Sequence, residues 1–228
     1  KTLYRIHIMY QDKEFFIMGK KVRDITKIIK EHVLNNSKEY IIVTLIFIIG
    51  IFLGVLFINN TKENQITEIS SYINNFTDKM KNTDNINNIE LLKNSIKQNV
   101  LLTFIIWFFG TTVIGMPIVF GITLYRGFCL GYTISACISI MGLSKGLAFV
   151  ILSLLLQNII FIPVLLALAV SGFKLYKSII KDNRKENIKI EIIRHTMFSL
   201  IMLLLLIISS IIEVYISVGI LKCFIKYF

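Results

Sequence analysis

Residues 146–173 read GLAFVILSLLLQNIIFIPVLLALAVSGF, 28 residues without a charged side chain. A hydrocarbon core about 30 Å thick is crossed by roughly 20 helical residues rising about 1.5 Å each. Four more runs resemble it: Tyr40–Ile58, Gln98–Tyr125, Gly127–Ser144 and Thr196–Leu221, the last interrupted only by Glu213. Backbone groups buried in lipid have no water to bond, so these runs must close their own hydrogen bonds as helices. The fold class is all-α, a polytopic integral membrane helical bundle.

Bulk composition agrees. Hydrophobic residues make up 55% of the 228, and mean hydropathy is +0.71; about 45–50% apolar is usual for soluble domains. A net charge of +11 could suggest nucleic acid. The 25 Lys and Arg instead gather beside apolar runs, as topology signals do, so nucleic-acid binding is set aside. The first apolar run follows a long polar segment with no small-residue cleavage site after it, and reads as a retained anchor.

Charge then orients the spans. Residues 1–39 carry nine basic side chains and residues 174–194 carry seven, whereas 59–97 balances five Lys against five acids. The positive-inside bias puts the first two segments in the cytoplasm and the third outside. That requires five transmembrane helices, with the N-terminus cytoplasmic and the C-terminus extracytoplasmic. The expected divisions are a cytoplasmic segment 1–39, spans at 40–58, 98–119, 124–142, 146–173 and 196–219, an outer segment 59–97, a basic loop 174–195 and a tail 220–228. Arg126 is expected at the inner boundary between the second and third spans, where it fixes topology or contacts an anion or lipid headgroup.

Two polar segments show helical periodicity. Val22, Ile25, Ile28, Ile29 and Val33, set among basic residues, describe a basic amphipathic helix on the anionic inner leaflet, or a solvated juxtamembrane helix extending the first span. Outside, Ile66, Ile69, Ile73, Phe76 and Met80, with Tyr72 nearby, precede an Asn/Asp-rich break and then Ile89, Leu92 and Ile96. This predicts two short amphipathic helices. A segment this short buries little core alone. Its apolar face must rest on the bundle, the membrane or a partner, and Ile69, Tyr72, Ile73 and Phe76 are the candidate partner face.

Inside the apolar runs, Gln157 and Asn158 read as helix–helix glue or as a midplane substrate or ion site, with Pro163 breaking the helix nearby. Glu213 reads as an interfacial anchor beside Tyr215, or as a polar contact on which assembly depends. Gly50–Gly54 and Gly127–Gly131 are both G-x-x-x-G patterns, suited to close packing within the bundle or to a homo-oligomer.

Gly142-Leu143-Ser144-Lys145-Gly146 matches a nucleophile elbow by letter, but that motif needs a strand before it, and a membrane helix precedes it here. Cys129, Cys137 and Cys223 lack metal-ligand spacing. No catalytic residue, metal or cofactor is expected.

In order along the chain stand Ile114-Gly115-Met116-Pro117, Arg126-Gly127-Phe128-Cys129-Leu130-Gly131-Tyr132, Leu156-Gln157-Asn158 through Ile162-Pro163, and Glu213-Val214-Tyr215-Ile216-Ser217. From about Met18 to Phe228 the chain resembles the stage II sporulation protein M family, departing at Leu156 and Val218, where Pro is expected. The resemblance implies a non-enzymatic component of the engulfing septal membrane that gathers two membrane-anchored wall hydrolases, an amidase/endopeptidase and a lytic transglycosylase. A small permease or channel subunit using Gln157 and Asn158 is the alternative.

Overall fold

A computed structural model describes residues 33–82, 87–181 and 185–220; the basic segment read as an amphipathic helix lies almost wholly outside the described residues. Every regular element among them is helical. In chain order these are α1 (Ser37–Asn59), α2 (Glu63–Asn82), α3 (Asn88–Gly110), α4 (Met116–Met141) and α5 (Leu143–Val150). A π turn at Ile151–Leu155 leads into α6 (Leu156–Lys181); α7 (Lys185–Ile212) ends in a second π turn at Glu213–Ser217.

Four stretches are long and apolar enough to cross a membrane: Ser37–Asn59, Met116–Met141, Gln157–Ile180 and Ile188–Ile220. The expected second span is absent from that set. Its helix, α3, carries Glu90, Lys93 and Lys97 in its first half, leaving a short charge-free remainder.

The break between α3 and α4 falls at 111–115, earlier than the expected gap after residue 119. Proline has no N–H and clashes with the preceding turn, so it is accepted only where a helix starts; Pro117 occupies the first turn of α4. The ending of α3 is capped by side chains. Thr111 Oγ1 donates to the Phe108 carbonyl at 2.7 Å and Thr112 Oγ1 to that of Phe109 at 3.0 Å, satisfying acceptors that a helix end leaves open.

Contacts fix the direction of each helix. α1 and α4 run parallel, and their two G-x-x-x-G patterns face each other. A β-carbon at Gly54 would lie 2.7 Å from Tyr132 N, and one at Gly131 would lie 2.8 Å from Ile51 C. Gly50 and Gly127 likewise meet the backbone of Leu124 and Phe47. The close-packing reading is thus realised inside the bundle. α3 runs antiparallel to α7, since Ser95 meets Glu213 while Trp107 meets Thr196. α6 also opposes α7, through Gln157 with Glu213 and Ser171 with His195. α4 opposes α6, through Phe120 with Phe173 and Arg126 with Phe161, so α1, α3, α4, α6 and α7 alternate in direction.

The core is built around α6: 56% of its spanning window is buried, against 28% for each of the other three. Leu165, Leu168, Ala169 and Val170 are fully buried there, packed with Val43, Ile106, Val119 and Leu206 from four other helices. Outward faces such as Ile41, Phe52, Met197 and Leu204 stay exposed, as lipid contact requires. The corner before α5 uses Gly142 at φ 81°, and Gly146 packs against Ile138 with no room for a β-carbon. Those glycines are explained by a helical hairpin.

Candidate functional site

At the end of the bundle away from the Lys174–Arg194 charges, three helices meet through polar side chains. Glu213 Oε2 accepts from Ser95 Oγ of α3 at 2.5 Å and from Gln157 Nε2 of α6 at 2.8 Å. Ser95 Oγ also lies 3.0 Å from Ser210 Oγ. A hydroxyl has one proton, and the shorter, charge-assisted bond to the carboxylate takes it. Ser210 instead accepts from Asn99 Nδ2 at 2.8 Å, and Asn99 reaches on to the Leu206 carbonyl at 3.3 Å. Ser209 Oγ donates to the Gln157 carbonyl at 3.2 Å, closing the joint between α6 and α7.

Both π turns abut this joint. A π turn bonds five residues apart, re-aims the side chains that follow, and commonly marks a functional position. Glu213 opens one such turn and Gln157 follows the other by two residues. Asn158 points elsewhere: its Nδ2 donates to the Leu154 carbonyl at 2.9 Å, inside the π turn of its own helix. Pro163 and Ile159 face outward, so the acceptor that Pro163 frees is on the bundle exterior, away from Gln157. Tyr215 is 53% exposed while Ser217 is buried, which splits the E-x-Y-x-S pattern between lipid and core.

The basic end holds a second joint. His195 is buried, with Nδ1 2.8 Å from Ser171 Oγ. Gly110 and Gly172 let α3 and α6 touch there, and a β-carbon at Gly110 would lie 3.0 Å from His195 Nε2. Trp107 Nε1 donates to Thr196 Oγ1 at 3.1 Å, and Lys177 pairs with Glu39 at 2.6 Å, tying α6 to α1.

Sequence reasoning missed Ser95, Asn99, Ser209, Ser210 and His195. Hydroxyls and amides are common in membrane helices, and no local pattern separates these from the rest. The expected basic loop ends at residue 195, whereas the structure buries His195 in the core.

Arg126 departs from its expected place. It lies ten residues past Met116 in unbroken α4, about 15 Å from the helix start. Neighbouring Gly127 packs on the Phe47 carbonyl. Phe47 is about 10 Å from Tyr40 and about 16 Å from Ile58 along α1, so Arg126 sits well inside the apolar layer. The absence of a charged residue between Gln98 and Tyr125 hid the true break and made Arg126 look like a boundary. Its guanidinium stands 5.3 Å from the Phe161 ring centroid.

The outer face is divided. Ile73 of α2 packs on the cluster of Cys137, Phe149 and Val150, and the Phe76 ring meets Phe149 edge-on at 6.4 Å. Ile69 is half-buried, and Tyr72 is 82% exposed. A groove of about 510 Å³ opens beside the end of α1, lined by Leu53, Leu56, Phe57, Asn60, Thr61, Gln65 and Phe128. It does not include Gln157 or Asn158. Among the described residues no cluster of three or more His, Cys, Asp or Glu is placed to hold a metal.

The family model for stage II sporulation protein M matches residues 43–218, from the first turns of α1 through the second π turn. The chain belongs to the stage II sporulation protein M family. As a stage II sporulation protein M family member it is a sporulation-related membrane protein, and its several apolar helices fit a multi-pass one. Apart from Glu39, the family match encloses both polar joints, and it encloses Arg126. No curated protein and no solved structure matches the chain.

Proposed function

We propose that this chain is a non-enzymatic, five-span scaffold of the mother-cell septal membrane. It recruits membrane-anchored peptidoglycan hydrolases, an amidase/endopeptidase and a lytic transglycosylase, for wall thinning and membrane migration during engulfment. Its N-terminus is cytoplasmic and its C-terminus extracytoplasmic. One observation carries the reading: the intramembrane Glu213 has both its donors, Ser95 and Gln157, on neighbouring helices. A carboxylate held that way locks helices together. The alternating helix directions and the basic end support five crossings, with α3 completed by the polar first half that enters from outside. The exposed Tyr72 of α2 supports an outer docking face.

The test is a photo-crosslinker at Tyr72 in sporulating cells. Capture of wall hydrolases is expected. Capture of lipid and self alone overturns recruitment through this face. Solute-selective uptake in liposomes that is lost on Asn158→Leu overturns the scaffold in favour of a permease.

A further inference from the structure

Arg126 is a cation inside the apolar layer, and among the described residues no carboxylate pairs with it. Membrane arginines ordinarily face a bundle interior, pair with an acid, or extend toward the nearer headgroups. This one does none of the three. It is half-buried on the seam between α4 and α6. Its neighbours at four-residue spacing on α4, Ile122 and Leu130, are likewise only partly buried where they pack against the core. The strip Ile122–Arg126–Leu130 is therefore an incompletely covered ridge, with the charge at its centre.

The head also points away from the basic end. Phe120 of α4 meets the Phe173 ring at 5.2 Å, while Arg126, six residues on, meets Phe161, twelve residues back along antiparallel α6. Helix register alone would bring Arg126 opposite a residue nearer Phe173. The side chain thus extends toward the middle of the layer, and the face of Phe161 holds it there. A guanidinium so placed presents a planar set of donors matched to a carboxylate.

We propose that the Ile122–Arg126–Leu130 ridge docks a membrane-spanning helix of a partner protein carrying one Asp or Glu at mid-depth. The proposal rests on the scaffold reading for the partner's biological role and adds how the partner is held. Charge complementarity selects the occupant: in hydrocarbon a carboxylate on a helix offsets part of its desolvation cost by meeting Arg126. A lipid phosphate stays at headgroup depth, away from the direction in which this side chain extends.

The experiment uses the full chain in neutral-lipid liposomes, with a labelled Lys-flanked Leu/Ala helix of about 22 residues bearing a central Glu. The control peptide has Gln in its place, which leaves the protein untouched. Tighter association of the Glu peptide by about tenfold is expected, with the preference lost in Arg126→Gln and kept in Arg126→Lys. Equal binding of the two peptides overturns the proposal, as does a preference that survives Arg126→Gln. A preference that disappears when anionic lipid is added shows a headgroup occupant and also overturns it. The Tyr72 crosslinking experiment judges the scaffold separately. Peptide preference without hydrolase capture defeats that reading alone; hydrolase capture without peptide preference defeats only the docking site.

Discussion

At Glu213 a single carboxylate oxygen serves donors from two other helices, so each donor can be removed by itself. Gln157→Leu deletes one bond and leaves an acceptor short of a partner in a dry region. Hydrogen bonds to charged acceptors contribute roughly 1.5–3 kcal/mol in soluble proteins, while interhelical bonds in membranes average about 0.6. A loss of about 1 kcal/mol in unfolding from mixed micelles is expected for Gln157→Leu. Glu213→Gln keeps an acceptor oxygen for Ser95 and is expected to cost less than Glu213→Leu. Equal losses for the two Glu213 variants contradict a joint built on acceptance. Asn158→Leu, whose amide bonds only its own helix, should leave the α6–α7 contact in place.

Glycine placement decides how the elements meet. Gly54 and Gly131 put backbone against backbone, and added atoms there have nowhere to go. Gly54→Ile is expected to lower the melting temperature by several degrees and to reduce disulfide crosslinking between cysteines placed on α1 and α4. Gly121→Ile is the matched control, since nothing lies within 4 Å of its β-carbon position. A surface change of that kind stays within about ±0.5 kcal/mol. A Gly54→Ile protein with unchanged melting temperature and crosslinking contradicts the packing described. The two glycine pairs were legible in sequence because their spacing is local. The α3–α4 break was less so: apolarity marks burial rather than turns, and the signal lay in Thr111, Thr112, Gly115 and Pro117.

For the molecule as a whole, orientation is open to chemical labelling in a cysteine-free background. Cysteines at Asn60 and Lys145 are expected to react with a membrane-impermeant maleimide in intact cells. A cysteine at Lys174 should react only after permeabilisation. Labelling of the Lys174 position from outside removes the five-span layout, and with it the reason to place α2 on the side of the cell wall.

The amino-acid sequence by itself determined that the chain is a set of membrane helices, because lipid leaves the backbone no other way to satisfy its hydrogen bonds. It also determined which segments are basic and which face of α2 is apolar, since periodicity and charge are local properties. Only the tertiary structure decided that Glu213 meets Ser95 and Gln157, that His195 lies under Gly110, and that Arg126 stands over Phe161. The physical reason is distance along the chain. A helical period tells which way a side chain faces, and the Ser95–Glu213 bond joins residues 118 apart, whose meeting depends on how every helix between them packs.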